Sequence, residues 1–147
     1  NDQKNEEDEF DDWENDNDQN DEKYLLLIKQ PRVATGKSIW EVPAGCVDGS
    51  LNVKGKMFDE IREETGIVPD PEKLNPLDSS FHSSPGLLDE QYAFYELELD
   101  ISQVQNILKT DTNNLGTDDE VIENVQLFNM KDLPKDDCKL FGVFGYF

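Results

Sequence analysis

Thirteen residues, 53 to 65, constrain the fold more than any other stretch of the chain. Val53, Met57 and Ile61 recur four apart with Phe58 beside them, the spacing of an apolar stripe along one face of a helix. Gly66 follows where a left-handed C-terminal cap belongs. Such a helix needs a core to lie on, and short apolar runs elsewhere can supply one as strands. Strands are expected over residues 24–30 (YLLLIKQ), 38–42, 78–83, 91–99 and 121–128. A turn holding Gly36 is expected over 31–37, a loop over 43–52, a turn at Ser84, Pro85 and Gly86, and a loop over 113–119. Shorter helices are expected over 101–109 and, from near Pro134, within 131–147, although Gly142 and Gly145 disfavour the second. Strands interleaved with helices give an α/β class with a mixed sheet covered by helices.

Charge bounds the folding unit. The formal net charge is −21 over 147 residues. Residues 1–22 hold twelve Asp and Glu against Lys4 alone, a net of −11. That stretch is too poor in apolar side chains to offset ordering entropy, so it is expected to be a disordered acidic tail. Phe10 and Trp13 are its only large apolar groups. Residues 23–147 are then a single domain, since the chain is too short for two cores. Strong acidity argues against a nucleic-acid backbone or an anionic membrane as partner. A small anionic substrate stays open, because a bound metal inverts the local potential. Cys46 and Cys138 have no metal-ligand spacing and imply no disulfide framework. No apolar run is long enough to span a bilayer, and no basic, hydrophobic leader opens the chain, so a cytoplasmic location is expected.

The same helix carries the chemistry. Glu60, Glu63 and Glu64 stand at i, i+3 and i+4, so their carboxylates can converge on one face, expected to lie opposite the apolar stripe. Crowded carboxylates repel. Their clustering makes sense around a hard cation such as Mg²⁺, which takes a few carboxylates, waters and substrate phosphate oxygens. His82 is the only histidine, so no His-based metal or nucleophile cluster can be assembled.

Residues 45–67 read GCVDGSLNVKGKMFDEIREETGI. This resembles the Nudix box, G-x5-E-x7-R-E-U-x-E-E-x-G-U with U a bulky apolar residue. Gly45, Glu60, Ile61, Glu63, Glu64, Gly66 and Ile67 fall in register, whereas Leu51 and Asp59 stand where the family has Glu and Arg. The preceding QPR turn and WEVPAG, the SSPGLLDE stretch at 83–90, and TDDEVIE at 117–123 resemble flanking segments of the family's ADP-ribose and nucleoside-diphosphate-sugar pyrophosphatases. The likeness covers roughly residues 23–128.

The resemblance implies a Nudix fold, an α/β/α sandwich with a mixed sheet, and Mg²⁺- or Mn²⁺-dependent hydrolysis of a diphosphate. It assigns Glu60, Glu64 and the backbone carbonyl of Ala44 to the metal. Glu63 is a further ligand or a base acting through water, and Asp118 and Glu120 supply a late-loop base and another metal-facing carboxylate. Arg32 is a candidate phosphate contact, Glu41 and Glu90 candidate substrate contacts. Trp40, beside a strand end, is expected in the core. The substrate implied is a small nucleoside-diphosphate compound, either a nucleoside-diphosphate sugar or ADP-ribose, split into a nucleoside monophosphate and a sugar phosphate; a family-type homodimer is a further implication. The alternative is a degenerate, non-catalytic domain that binds a nucleotide or a protein, motivated by Leu51 and Asp59.

Overall fold

A computed structural model describes residues 22–47, 49, 52–117 and 120–144. Leu51, Asp118 and the acidic segment through Asp21 lie outside the described residues.

The apolar run after Lys23 forms strand β1, Tyr24–Arg32, at the centre of a three-stranded sheet. A single turn at residues 33–35 reverses the chain, closed by Gly36 at φ 68° with its N–H on the Arg32 carbonyl. Strand β2, Lys37–Glu41, then pairs antiparallel with β1, placing Gln30 opposite Ile39. On the other side of β1 lies a later strand, Asn124–Asn129, with Ile28 opposite Val125.

The helix α1, Val53–Thr65, forms over the span its periodicity marks. Asn52 caps it through a hydrogen bond to the Gly55 N–H, and Gly66, at φ 73°, ends it. A hairpin follows, β3 (Asn75–His82) with β4 (Gln91–Glu96), irregular between Pro76 and Ser80 because proline brings no N–H to the ladder. Strand β4 stops at Glu96 rather than 99, and Leu97 and Leu99 turn into the core instead. Helix α2, Ile101–Ile107, opens on a capping box between Asp100 and Gln103 and is two residues shorter than expected. The expected loop after it contains a helical turn at 112–114 and a short strand β5, Gly116–Thr117. This pairs with β6, Glu120–Val121.

One strand was expected over 121–128, but two are present, β6 and β7 (Asn124–Asn129). Between them Ile122 drops into the core and the Glu123 N–H bonds the Lys29 carbonyl. Helix α3 starts at Cys138, not near Pro134. Gly142 is accommodated in it because the Phe94 ring packs there; a Cβ would lie 3.0 Å from Phe94 Cζ.

Alternation along β1 separates two cores. Ile28 packs with Ile61 of α1, Leu74, Ile107 of α2, Ile122 and Val125. Leu27, one residue earlier and on the opposite face, packs with Leu133 and Leu140 of α3, with Trp40 and Phe128 edge to face at 4.8 Å. Helices therefore flank the sheet on both sides, and Trp40, expected in the core, is half-buried and packs against it. Every strand pairing among the described residues is antiparallel; the mixed sheet expected from the sequence is not among them. No helix among these residues is long and apolar enough to cross a membrane.

Candidate metal centre

On α1 the acids do not lie opposite the apolar stripe. Glu60 follows Met57 by three residues and Glu64 follows it by seven, so helical periodicity puts all three on one side. Glu60 is 4% exposed and Glu64 1%, beside Ile61 at 8%. Burying two carboxylates side by side is costly unless each finds partners.

Glu64 is held at both oxygens. Gln30 of β1 donates to Oε1 at 2.7 Å, and the Ala44 N–H donates to Oε2 at 2.9 Å. Gln30 continues the face of Leu26 and Ile28, where alternation calls for an apolar residue. That polar intrusion was the sequence signal for its role. Both donors are neutral, so neither cancels the charge. Burial pushes the Glu64 carboxyl up to about 8, and the nearby charges of Glu60 and Glu120 act the same way.

Glu60 meets Lys56 at 2.5 Å, one helical turn back. It also lies against Gly45: a Cβ there would come within 1.9 Å of Glu60 Oε1. The loop after β2 thus needs glycine at 45 for its backbone to approach the carboxylate so closely.

Glu120 opens β6 and completes the group. Carboxylate oxygens of Glu60, Glu64 and Glu120 lie within 4.8 Å of one another. Three acids from two distant segments converge at one point, two of them buried and one half-buried. Hard-cation chemistry fits this donor set, because a divalent ion removes the mutual repulsion that the neutral donors on Glu64 and the single ammonium on Glu60 leave in place.

The other expected residues sit elsewhere. Glu63 is outside the cluster and faces Arg62 at 3.5 Å. Asp118 is not among the described residues. Arg32 binds Glu41 bidentately, Nε at 2.5 Å and Nη2 at 2.9 Å. Lys139 of α3, which the sequence reading missed, adds a third contact to Glu41 at 3.0 Å. Burial alone would raise the Glu41 pKa, but the hydrogen bonds from Arg32 and Lys139 hold it below the ordinary range. The Glu41 hydrogen bond is the main cause raising the Arg32 pKa, and Glu120 and Glu64 add to it, placing the guanidinium within their field. Lys139 is likewise raised: Asp137 and Glu41 outweigh its burial. Glu90 is exposed and takes a hydrogen bond from the Tyr92 hydroxyl at 3.1 Å. His82 contacts Gln91 at the loop end of the hairpin, and both cysteines are free and exposed.

No protein-family profile matches the chain. Curated proteins do. A protein of Caenorhabditis elegans named as a Nudix hydrolase is 32% identical over 87 residues, 56% of this chain and 36% of the relative. A Nudix hydrolase of Schizosaccharomyces pombe is 32% identical over 85 residues, 56% and 39%. Both of these relatives carry the name Nudix hydrolase. A third, the ADP-ribose pyrophosphatase of Bacillus subtilis, is 30% identical over 92 residues, covering 62% of this chain and 48% of the relative. The matches span between about a third and a half of those proteins' lengths. The Nudix-type acids Glu60 and Glu64 are the buried members of the cluster, and position 59, arginine in the Nudix box, holds an aspartate paired outward to Arg62 at 3.3 Å.

Proposed function

We propose that this chain is a Nudix-fold hydrolase that splits the diphosphate of a nucleoside-diphosphate sugar or ADP-ribose, releasing a nucleoside monophosphate and a sugar phosphate. The observation that carries the reading is the convergence of Glu60, Glu64 and Glu120. Glu60 and Glu64, with the Ala44 carbonyl, hold Mg²⁺ or Mn²⁺. A cation bound there lowers the pKa of a water and neutralises diphosphate charge. Glu120 is close enough to serve as a further ligand or as the base that takes the water's proton, a role that Asp118, two residues earlier, or Glu63 through water could share.

Arg32 presents N–H groups beyond those bound by Glu41 and sits in the field of the acids. It binds a phosphate oxygen of the substrate, while Glu41, fixed by Lys139, keeps the guanidinium in place. Glu90, on the loop before β4, contacts the sugar side. The ADP-ribose option draws on the Bacillus subtilis relative's name and the flanking segments of the sequence.

The test is product release from a panel of nucleoside-diphosphate sugars and ADP-ribose with Mg²⁺, Mn²⁺ or EDTA. Metal-dependent formation of a monophosphate from one substrate is the expected result. Glu64→Gln should abolish it and leave the fold intact, because a glutamine can accept from the Ala44 N–H and donate to a flipped Gln30 amide. Silence across the panel from folded protein would favour the degenerate binding domain that Leu51 and Asp59 suggest.

A further inference from the structure

The helix that carries Glu60 also carries a cation against it. Lys56 Nζ stands 2.5 Å from Glu60 Oε1, joining a half-buried lysine to a buried carboxylate. Lysine four residues before glutamate is the less favourable order for a helical pair, so helix preference alone does not account for it. The pull comes from Glu60 itself, buried within 4.8 Å of two further carboxylates. Arg62 is engaged elsewhere, by Asp59 at 3.3 Å and Glu63 at 3.5 Å.

We propose that Lys56 is a built-in counter-ion of the site, competing with the divalent cation for Glu60 and setting a weak, salt-sensitive affinity for it. This rests on the metal-site reading above. An ammonium neutralises one carboxylate; a divalent ion neutralises two or more and also takes phosphate oxygens. Exchange of Lys56 for the metal is therefore favoured most when substrate arrives with it. The lysine stem is long enough to carry its head group to water when displaced. A partly exposed pair of this kind shifts a binding equilibrium by about fivefold.

Mn²⁺ titration of the full chain without substrate, with free Mn²⁺ followed by electron paramagnetic resonance, tests this directly. Lys56→Gln should tighten binding about fivefold, and Lys56→Arg, which keeps the charge, should stay near the unsubstituted protein. Lys54→Gln changes net charge equally at an exposed position and should have little effect. The gain in Lys56→Gln should shrink as salt is raised. Unchanged or weaker Mn²⁺ binding in Lys56→Gln, or an equal gain in Lys54→Gln, overturns the counter-ion. If the unsubstituted chain binds too weakly to measure, binding that emerges in Lys56→Gln supports the proposal and its absence overturns it. Glu64→Gln separates the two readings: Mn²⁺ binding that survives this substitution overturns the metal site itself, whatever Lys56 does.

Discussion

At the residue scale, Glu64 joins the fold to the proposed metal site. It is almost fully buried, its two hydrogen-bond donors are neutral, and two other acids face it. A carboxyl raised to about 8 in the folded chain, against about 4.5 unfolded, keeps a proton that the unfolded chain has given up. Its contribution to stability is therefore complete below about pH 4.5 and is lost as pH rises toward 8. In EDTA, Glu64→Gln removes this titration. The variant should gain thermal stability over the unsubstituted protein between pH 5 and 8, and adding Mn²⁺ should restore only the latter. Parallel melting-temperature profiles for the two proteins in EDTA would show that the Glu64 proton does not differ between folded and unfolded states. Helical spacing grouped Glu60 and Glu64 in the sequence but added Glu63, which lies outside the cluster, while Glu120 entered only through the resemblance. Which side of α1 Glu60 and Glu64 occupy was misread, because Met57 and Ile61 share that side with them. Gln30, 34 residues away from its partner, was missed in the sequence, where its one signal is a polar break in an apolar alternation.

At the scale of elements, legibility tracked how local the determinants are. Helix α1 was readable to its ends because Asn52, the four-residue repeat and Gly66 all lie within it or next to it. The start of α3 was not, since Gly142 argues against a helix until Phe94, from β4, is seen against it. Its position depends on Lys139 reaching Glu41 of β2, 98 residues away, and on Leu140 meeting Leu27. Lys139 is half-buried against a buried carboxylate, so removing it leaves Glu41 with Arg32 as its ion-pair partner among the described residues. Lys139→Met should cost about 2 kcal/mol of unfolding free energy by urea titration, somewhat less than breaking a pair with no second partner. A change within about 0.5 kcal/mol would mean that Arg32 suffices to hold Glu41 and that α3 is anchored by its apolar contacts. The division of the 121–128 run into β6 and β7 was hidden for a similar reason. Ile122 fits strand alternation in sequence, but a distant core claims it.

For the whole molecule, the net charge of −21 acts on the fold and on the proposed metal site in different ways. The described core is built from residues 25–143, and β1 is closed at its start by the Met130 N–H on the Lys23 carbonyl. A chain beginning at Glu22 keeps all of these contacts and sheds eleven Asp and Glu together with Lys4, taking the formal charge from −21 to −11. Its unfolding midpoint should not fall, because no described packing is lost and like-charge repulsion is reduced. Cation attraction should respond differently. At 10 mM salt the screening length is about 30 Å, so charges across the whole chain enrich Mn²⁺ near Glu60, Glu64 and Glu120; at 150 mM it is about 8 Å, and distant charges count for little. Truncation should therefore weaken Mn²⁺ binding several-fold at 10 mM salt and much less at 150 mM, measured by the same resonance titration. An equal loss at both salts would mean that the acidic segment meets the site directly, as a ligand rather than through its field.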